Sequence, residues 1–150
     1  MSRMIVIALV LALAGCGGAK APKQEGHAGH WVIVGHHMPG VSAMSEEQAA
    51  AWHGKAIDLS EEVASVAGAD TCMRPQYRDR TVSADSLLTI GFKVAPGSVG
   101  PLLPPGGTVQ ITEVTCEGET WYSPGALLIW TSPTTALTPW EGVFFDLEKR

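Results

Sequence analysis

The stretch Gly142-Val-Phe-Phe-Asp-Leu147 carries four apolar side chains in six residues, and three of them, Val143, Phe145 and Leu147, alternate along the chain. Successive side chains of a β-strand point to opposite faces, so this spacing predicts a strand with one buried face. Ala126-Leu-Leu-Ile-Trp-Thr131 is short and similarly apolar. Both segments therefore predict core strands of a β-rich fold.

Other segments carry weaker strand signals, and one carries a helix signal. Ser45-Glu-Glu-Gln48 has capping-box spacing and precedes Ala49 to His53, which predicts a short helix with Gly54 at its C′ position. Residues 61–67 are ambiguous, and residues 83–92 fit neither period cleanly, although we interpret them as a helix. Further strands are predicted at Trp31-Val-Ile-Val34 and at residues 55–59, 77–82, 109–116 and 120–122.

Glycine and proline divide the sequence into short elements. Seventeen Gly and ten Pro in 150 residues favour turns over a helical bundle, and residues 96–107 predict an irregular loop. The buried parity changes between Ile111 and Val114, which predicts a β-bulge near Thr112-Glu113. We predict a mainly β fold, a small antiparallel β-barrel or barrel-like sheet of about eight strands with one or two short helices. An open sandwich is the alternative.

The N-terminus has the layout of an export signal. Arg3 precedes an unbroken apolar run from Met4 to Ala14, and small residues follow it. Eleven helical residues span about 16 Å, which is about half of a bilayer core, so the run is too short for a transmembrane helix.

Leu13-Ala-Gly-Cys16 resembles the lipobox of bacterial lipoproteins, and the resemblance implies that Cys16 is lipidated and becomes the new N-terminus. In that family Gly17 after the cysteine implies an outer-membrane lipoprotein that faces the periplasm. We divide the chain into a signal peptide (1–15), the lipidated cysteine with a flexible tether (16–30), and one globular β-rich domain (31–150). The lipid makes the membrane a partner.

The net charge of the chain limits the classes of macromolecule that it can bind. The formal net charge is −5, and an acidic body repels phosphate backbones. We therefore expect no nucleic-acid partner, whereas a cationic envelope protein is a suitable one.

Cysteine usage agrees with an exported protein. Once Cys16 is assigned to lipid, Cys72 and Cys116 remain, and two cysteines in an oxidising compartment predict a structural disulfide. A metal-binding or redox pair is the alternative.

All five histidines lie between residues 27 and 53. Imidazole and thioether are ligands that copper favours, and imidazole also suits zinc. On a strand, His30 and His36 would share a face. Solvated loop histidines are the alternative, and His53 is interpreted as a residue that caps the short helix. The candidate metal set is His27, His30, His36, His37 and Met38.

Catalytic motifs are missing from the sequence, which has no G-x-S-x-G elbow, no phosphate loop and no G-x-G-x-x-G turn. We expect a non-catalytic protein without a required cofactor. The five tryptophans predict either a filled barrel or a mouth for an apolar ligand. A predicted interaction edge, acidic and aromatic, consists of Glu117, Glu119, Trp121 and Tyr122.

The body is similar to small bacterial envelope lipoproteins of uncharacterised activity, on the strength of Ala51-Trp-His-Gly-Lys55, residues 72–77, the Cys116 strand and residues 140–147. In architecture it also resembles periplasmic inhibitors of c-type lysozyme and META-type lipoproteins. We predict a lipid-anchored, non-catalytic module that binds another protein, and the most specific form of this prediction is lysozyme inhibition. The alternatives are a periplasmic copper- or zinc-binding lipoprotein and a small barrel for an apolar ligand.

Overall fold

A computed structural model describes residues 26–67 and 70–150 of the chain. The predicted signal peptide, Cys16 and most of the predicted tether lie outside these residues. Within the residues that the structure describes, no helix is long and apolar enough to cross a membrane. The strands are β1 (Gly29–His37), β2 (Ala56–Leu59), β3 (Val63–Val66), β4 (Thr71–Met73), β5 (Pro75–Ser83), β6 (Thr108–Cys116), β7 (Glu119–Thr120), β8 (Leu127–Ser132), β9 (Thr135–Trp140) and β10 (Val143–Lys149).

The fold is mainly β, as predicted, and its sheet curls into an antiparallel half-barrel. The strand order is β4-β3-β2-β1-β10-β9-β8-β6-β5, and β7 pairs with β6 off this path. The edge strands β4 and β5 are consecutive in sequence and are joined by Arg74, whose φ is 54°. A disulfide between Cys72 and Cys116, with the Cα atoms 5.6 Å apart, links β4 to β6. It therefore ties one edge strand, β4, to β6, the neighbour of the opposite edge strand β5.

An inner core fills the concave side of the sheet. Trp31 and Phe145 are fully buried there, and the rings of Trp31 and Trp130 meet edge to face at 5.6 Å between centroids. The predicted face of Val143, Phe145 and Leu147 belongs to this core, so that prediction is confirmed. Trp31, Trp121 and Trp130 thus pack in the interior of the half-barrel, whereas Trp52 and Trp140 are partly buried against it.

An outer core covers the opposite face of β6, β8, β9 and β10. Leu88 and Leu103 from the segment between β5 and β6 pack there with Phe144. The bulge predicted near Thr112-Glu113 is wrong, because β6 pairs with β5 in unbroken register from Thr108 to Cys116. The parity changes because both faces of β6 are buried, Val109 and Ile111 in the outer core and Val114 in the inner core.

The bulge that the sheet does contain lies in β1. The register with β10 shifts between Ile33 and Gly35, so His36 faces Phe145 across the ladder. The extra residue reverses the alternation of side chains. The prediction that His30 and His36 share a face is therefore wrong, because they lie on either side of this bulge.

The helices are shorter than predicted. The helix α1 (Glu46–Ala50) has the predicted capping box, in which Ser45 and Gln48 exchange hydrogen bonds. It ends at Ala51, so Gly54 is not its C′ residue, although its φ of 82° makes the turn into β2. Residues 83–92 are helical as interpreted: α2 (Ala84–Ser86) continues into a π-helix at Leu87–Gly91. The loop 96–107 contains one 3-10 turn at Gly100–Leu102.

Strand boundaries also differ from the sequence prediction. β1 begins at Gly29, inside the range assigned to the tether, and continues through His37. The ambiguous residues 61–67 contain β3, and β4 and β9 were not predicted. Pro139 lies within β9 and weakens its sequence signal, because proline is expected at edge strands or bulges rather than inside a central strand.

Candidate functional site

The sheet opens into a cleft where β6 and β8 separate. Their ladder joins only residues 111–113 to residues 127–129. On its other side β6 stays paired with β5 down to Thr108, and β8 stays paired with β9 up to Ser132. Residues 108–110 and 130–132, which lie beyond this ladder, line the two walls of the cleft.

The cleft has a volume of about 440 Å³, within the range of small-ligand sites. Apolar side chains from both cores form its floor, and hydroxyl and amide groups form its rim. A smaller cavity of about 90 Å³ adjoins it and shares Gln110 and Trp130 with it. The residues that define the cleft are Leu102, Leu103, Pro104, Gln110, Trp130 and Pro133.

Buried hydrogen bonds fix the indole at the border of the two cavities. Trp130 Nε1 donates to Thr112 Oγ1 (2.9 Å), and that hydroxyl donates to Asp79 Oδ1 (2.5 Å). Thr112 has no exposed surface, whereas Asp79 is exposed and lines the smaller cavity. The chain therefore holds a carboxylate beside the cleft in a fixed position.

His27 also lines the smaller cavity. Its ring stacks on Tyr77 with centroids 3.6 Å apart, and its carbonyl accepts a hydrogen bond from Trp31 Nε1 (2.9 Å). Desolvation lowers the pKa of His27, and Lys149 acts in the same direction against Asp79 and Glu61. His27 is therefore a packed ring in its neutral form rather than a free loop side chain.

Tyr77 also helps to close the half-barrel. Burial raises the pKa of Tyr77 to about 12. The hydroxyl therefore keeps its proton, which it donates to Ser60 O (2.7 Å). Ser60 lies in the turn between β2 and β3, so this bond joins the β5 edge to the far half of the sheet.

Two histidines that are separate in sequence meet beside α1. His36 Nδ1 and His53 Nε2 are 2.8 Å apart, and His36 Nε2 is 2.8 Å from Glu46 Oε1. A carboxylate only accepts, so His36 Nε2–H donates to Glu46, and in the neutral form of His36 the Nδ1 atom accepts from His53 Nε2–H. The His36 side chain is 9% exposed, and backbone bonds of Gly54 and Ile33 hold the His53 turn against β1.

The rest of the predicted metal set does not join this pair. His30 donates to Asp58 (2.6 Å) and His37 donates to Asp146 (3.0 Å), while Met38 packs against the inner core. Within residues 26–67 and 70–150, no three His, Cys, Asp or Glu side chains form a group that could hold a metal ion. The interpretation of His53 as a helix cap is wrong, because α1 comprises Glu46–Ala50 with no basic residue in its last turn, and the His53 ring contacts His36 instead.

The predicted interaction edge at residues 117–122 is only partly on the surface. Tyr122 is 80% exposed, and Glu117 lies 3.7 Å from Arg74. Trp121 is wrongly placed in the edge, because it is buried in the inner core and its Nε1 donates to Asp70 Oδ2 (2.7 Å). The side chains of Glu119 and Tyr122 therefore offer an acidic and phenolic edge without the indole.

Comparisons with known protein families, with curated proteins and with solved structures find no match for this chain. Its function is therefore argued from the geometry above. Sequence reasoning missed the cleft because strand separation is a property of pairing, which no local pattern encodes.

Proposed function

We propose that the protein is a lipid-anchored, non-catalytic binding module of the bacterial cell envelope that engages a cationic protein partner through the β6–β8 cleft. The cleft is the observation that carries the proposal, because it combines an apolar floor with strand walls that extend beyond the β6–β8 ladder. The carboxylate of Asp79, held by Thr112, lines the smaller cavity that adjoins it. The net charge of −5 favours association with a basic protein.

The location in the envelope rests on the sequence. The lipobox-like Leu13-Ala-Gly-Cys16 supports an outer-membrane anchor that faces the periplasm. The disulfide between Cys72 and Cys116 agrees with an oxidising compartment. Mass spectrometry of the protein extracted from its own envelope tests the anchor, because lipidation adds a diacylglyceryl mass to Cys16 and an unmodified Met1 terminus would contradict it.

Titration of the full chain in detergent with hen lysozyme at low salt tests cationic-protein binding. Thr108→Arg places a bulky cation in the cleft, and Thr120→Arg adds the same charge at an exposed position on β7 as a matched control. We expect the Thr108 variant to lose at least tenfold in affinity and the control to change less than threefold. If lysozyme lyses bacteria as well with micromolar amounts of this protein as without it, lysozyme inhibition is wrong. If the Thr108 and Thr120 variants bind lysozyme with equal affinity, the cleft is not the contact site.

A second candidate function is copper or zinc binding at His36 and His53. The observation that favours it is the 2.8 Å approach of their ring nitrogens, with Glu46 orienting His36 as carboxylates orient metal-bound imidazoles. Two protein nitrogens would hold the ion and water would complete its shell. Calorimetric titration with Cu(II), Cu(I) and Zn(II) tests metal binding at this pair. His53→Ala should weaken metal binding tenfold or more, and the control His30→Ala should not.

A further inference from the structure

The small cavity next to the cleft has a carboxylate in its wall. Its volume is about 90 Å³, and it is lined by Gly26, His27, Asp79, Gln110 and Trp130. Sites that enclose a whole small ligand usually measure about 300–1,000 Å³. The cavity can therefore admit one functional group at the end of a longer molecule, but not a complete ligand.

The carboxylate of Asp79 is held in place through one of its two oxygens. Asp79 Oδ1 accepts a hydrogen bond from Thr112 Oγ1 (2.5 Å), and Thr112 Oγ1 accepts one from Trp130 Nε1 (2.9 Å). Among the described residues, the hydrogen bonds of the Asp79 side chain end on Oδ1 alone. Asp79 Oδ2 can therefore accept a hydrogen bond from a ligand while the bond to Thr112 is kept.

The charges around the cavity favour a cation. The ring of His27 interacts with three charged groups, which are the carboxylates of Asp79 and Glu61 and the ammonium of Lys149. That ammonium donates to Gly26 O (3.1 Å). Burial lowers the pKa of His27, so its ring is neutral at pH 7 and adds no positive charge. Negative charge therefore predominates beside the cavity, and an entering cation is attracted.

The other walls suit a planar cation with several donors. Trp130 contributes an indole, which attracts a guanidinium, and Gln110 contributes an amide whose oxygen accepts hydrogen bonds. A guanidinium carries its N–H donors in one plane, so it can bond to a carboxylate and an amide together, whereas an ammonium is a compact, strongly hydrated point charge. Gln110 and Trp130 also line the cleft, so a side chain can reach the cavity from a partner bound there.

We propose that the small cavity binds the guanidinium group of an arginine side chain of the cationic partner. This inference rests on the proposed function and names the chemical group that the partner contributes. The guanidinium donates to Asp79 Oδ2 and to the Gln110 amide oxygen and packs against Trp130, while the rest of the partner lies on the cleft. Because Thr112 holds Asp79 in place before binding, little side-chain entropy of Asp79 is lost when the arginine enters.

The probe is N-acetyl-arginine N-methylamide, titrated into the full chain in detergent and followed by NMR. Its matched control is N-acetyl-citrulline N-methylamide, which has nearly the same shape but no charge. We expect the arginine probe to bind at least fivefold more tightly than the citrulline probe. It should also shift the indole N–H resonance of Trp130, because a cation on Asp79 polarises the hydrogen bonds through Thr112. The indole N–H of Trp121, which donates to Asp70, should not shift.

Two substitutions that each remove one negative charge test the role of Asp79. Asp79→Asn keeps an oxygen that can accept from Thr112, and Glu119→Gln removes a charge from an exposed position on β7 as the control. We expect Asp79→Asn to weaken binding of the arginine probe and of lysozyme at least fivefold at low salt, and Glu119→Gln to weaken either less than twofold. The citrulline comparison uses the wild-type chain, so it decides the inference even if Asp79→Asn fails to fold.

Each outcome decides the inference. Equal binding of the arginine and citrulline probes, or equal affinity of the folded Asp79 and Glu119 variants for the arginine probe, would overturn the arginine site. Lysozyme binding that is weakened by Thr108→Arg would in that case still support the proposed function. If the wild-type chain binds neither the arginine probe nor lysozyme, the inference and the proposed function are both wrong.

Discussion

Thr112 is the residue whose side chain links the indole of Trp130 to the carboxylate of Asp79. Thr112→Val keeps the shape of the side chain but leaves the Trp130 Nε1–H without its acceptor. We expect unfolding free energy to fall by about 1–3 kcal/mol, the cost of an unsatisfied buried donor. Urea denaturation measures it, with Thr115→Val on the same strand as the control, which should change by less than about 0.5 kcal/mol. Equal losses would show that the hydrogen-bond chain is unimportant.

His27 gives the fold a pH dependence of known sign. Its pKa lies below the unfolded value of 6.5, mainly because burial against Tyr77 disfavours the charged ring. The stability that the neutral ring contributes is present above pH 6.5 and is lost as the pH falls through the lowered pKa. NMR titration should find the His27 midpoint below 6.5, and Tyr77→Ala should return it toward 6.5. An unchanged midpoint in that variant would contradict desolvation as the cause.

At the scale of elements, one side of the π-helix Leu87–Gly91 packs against the outer face of the sheet. Leu88 is fully buried in the outer core, whereas Ile90 is 69% exposed. Leu88→Ala should lower the unfolding free energy by about 2–5 kcal/mol, because it removes transfer energy and leaves a cavity. Ile90→Ala should cost under about 0.5 kcal/mol in the same chemical denaturation. Similar values for the two would mean that this segment does not cover a core.

The elements show what a sequence encodes and what it does not. The alternation of Val143, Phe145 and Leu147 and the Ser45 capping box are local, so β10 and the start of α1 were predictable. The faces of β6 were misread because a strand buried on both sides loses its alternation. The histidine pair was missed because the bulge between Ile33 and Gly35 turns His36 toward His53. Only the pairing of β1 with β10 reveals that bulge.

At the scale of the whole molecule, a disulfide joins the edge strand β4 to β6, next to the opposite edge. The residues Cys72 and Cys116 are 44 apart in sequence. Loop-closure entropy gives about 4 kcal/mol of stabilisation for a loop of about 45 residues. The double variant Cys72→Ala/Cys116→Ala should lose about 2–4 kcal/mol of unfolding free energy. Reduction of the native protein should reproduce that loss without affecting the variant, and a loss under about 1 kcal/mol would contradict a structural disulfide.

The pairing of the first described strand with the last has a consequence for how the chain folds. β1 and β10 are neighbours in the middle of the sheet, with Trp31 opposite Lys149. Contacts between such distant parts of a sequence slow folding, because a long loop must close before they form. A chain synthesised from its N-terminus therefore presents β1 long before its partner β10 exists. The central ladder of the half-barrel forms only after the last residues have been made, so the sheet is completed after synthesis rather than during it.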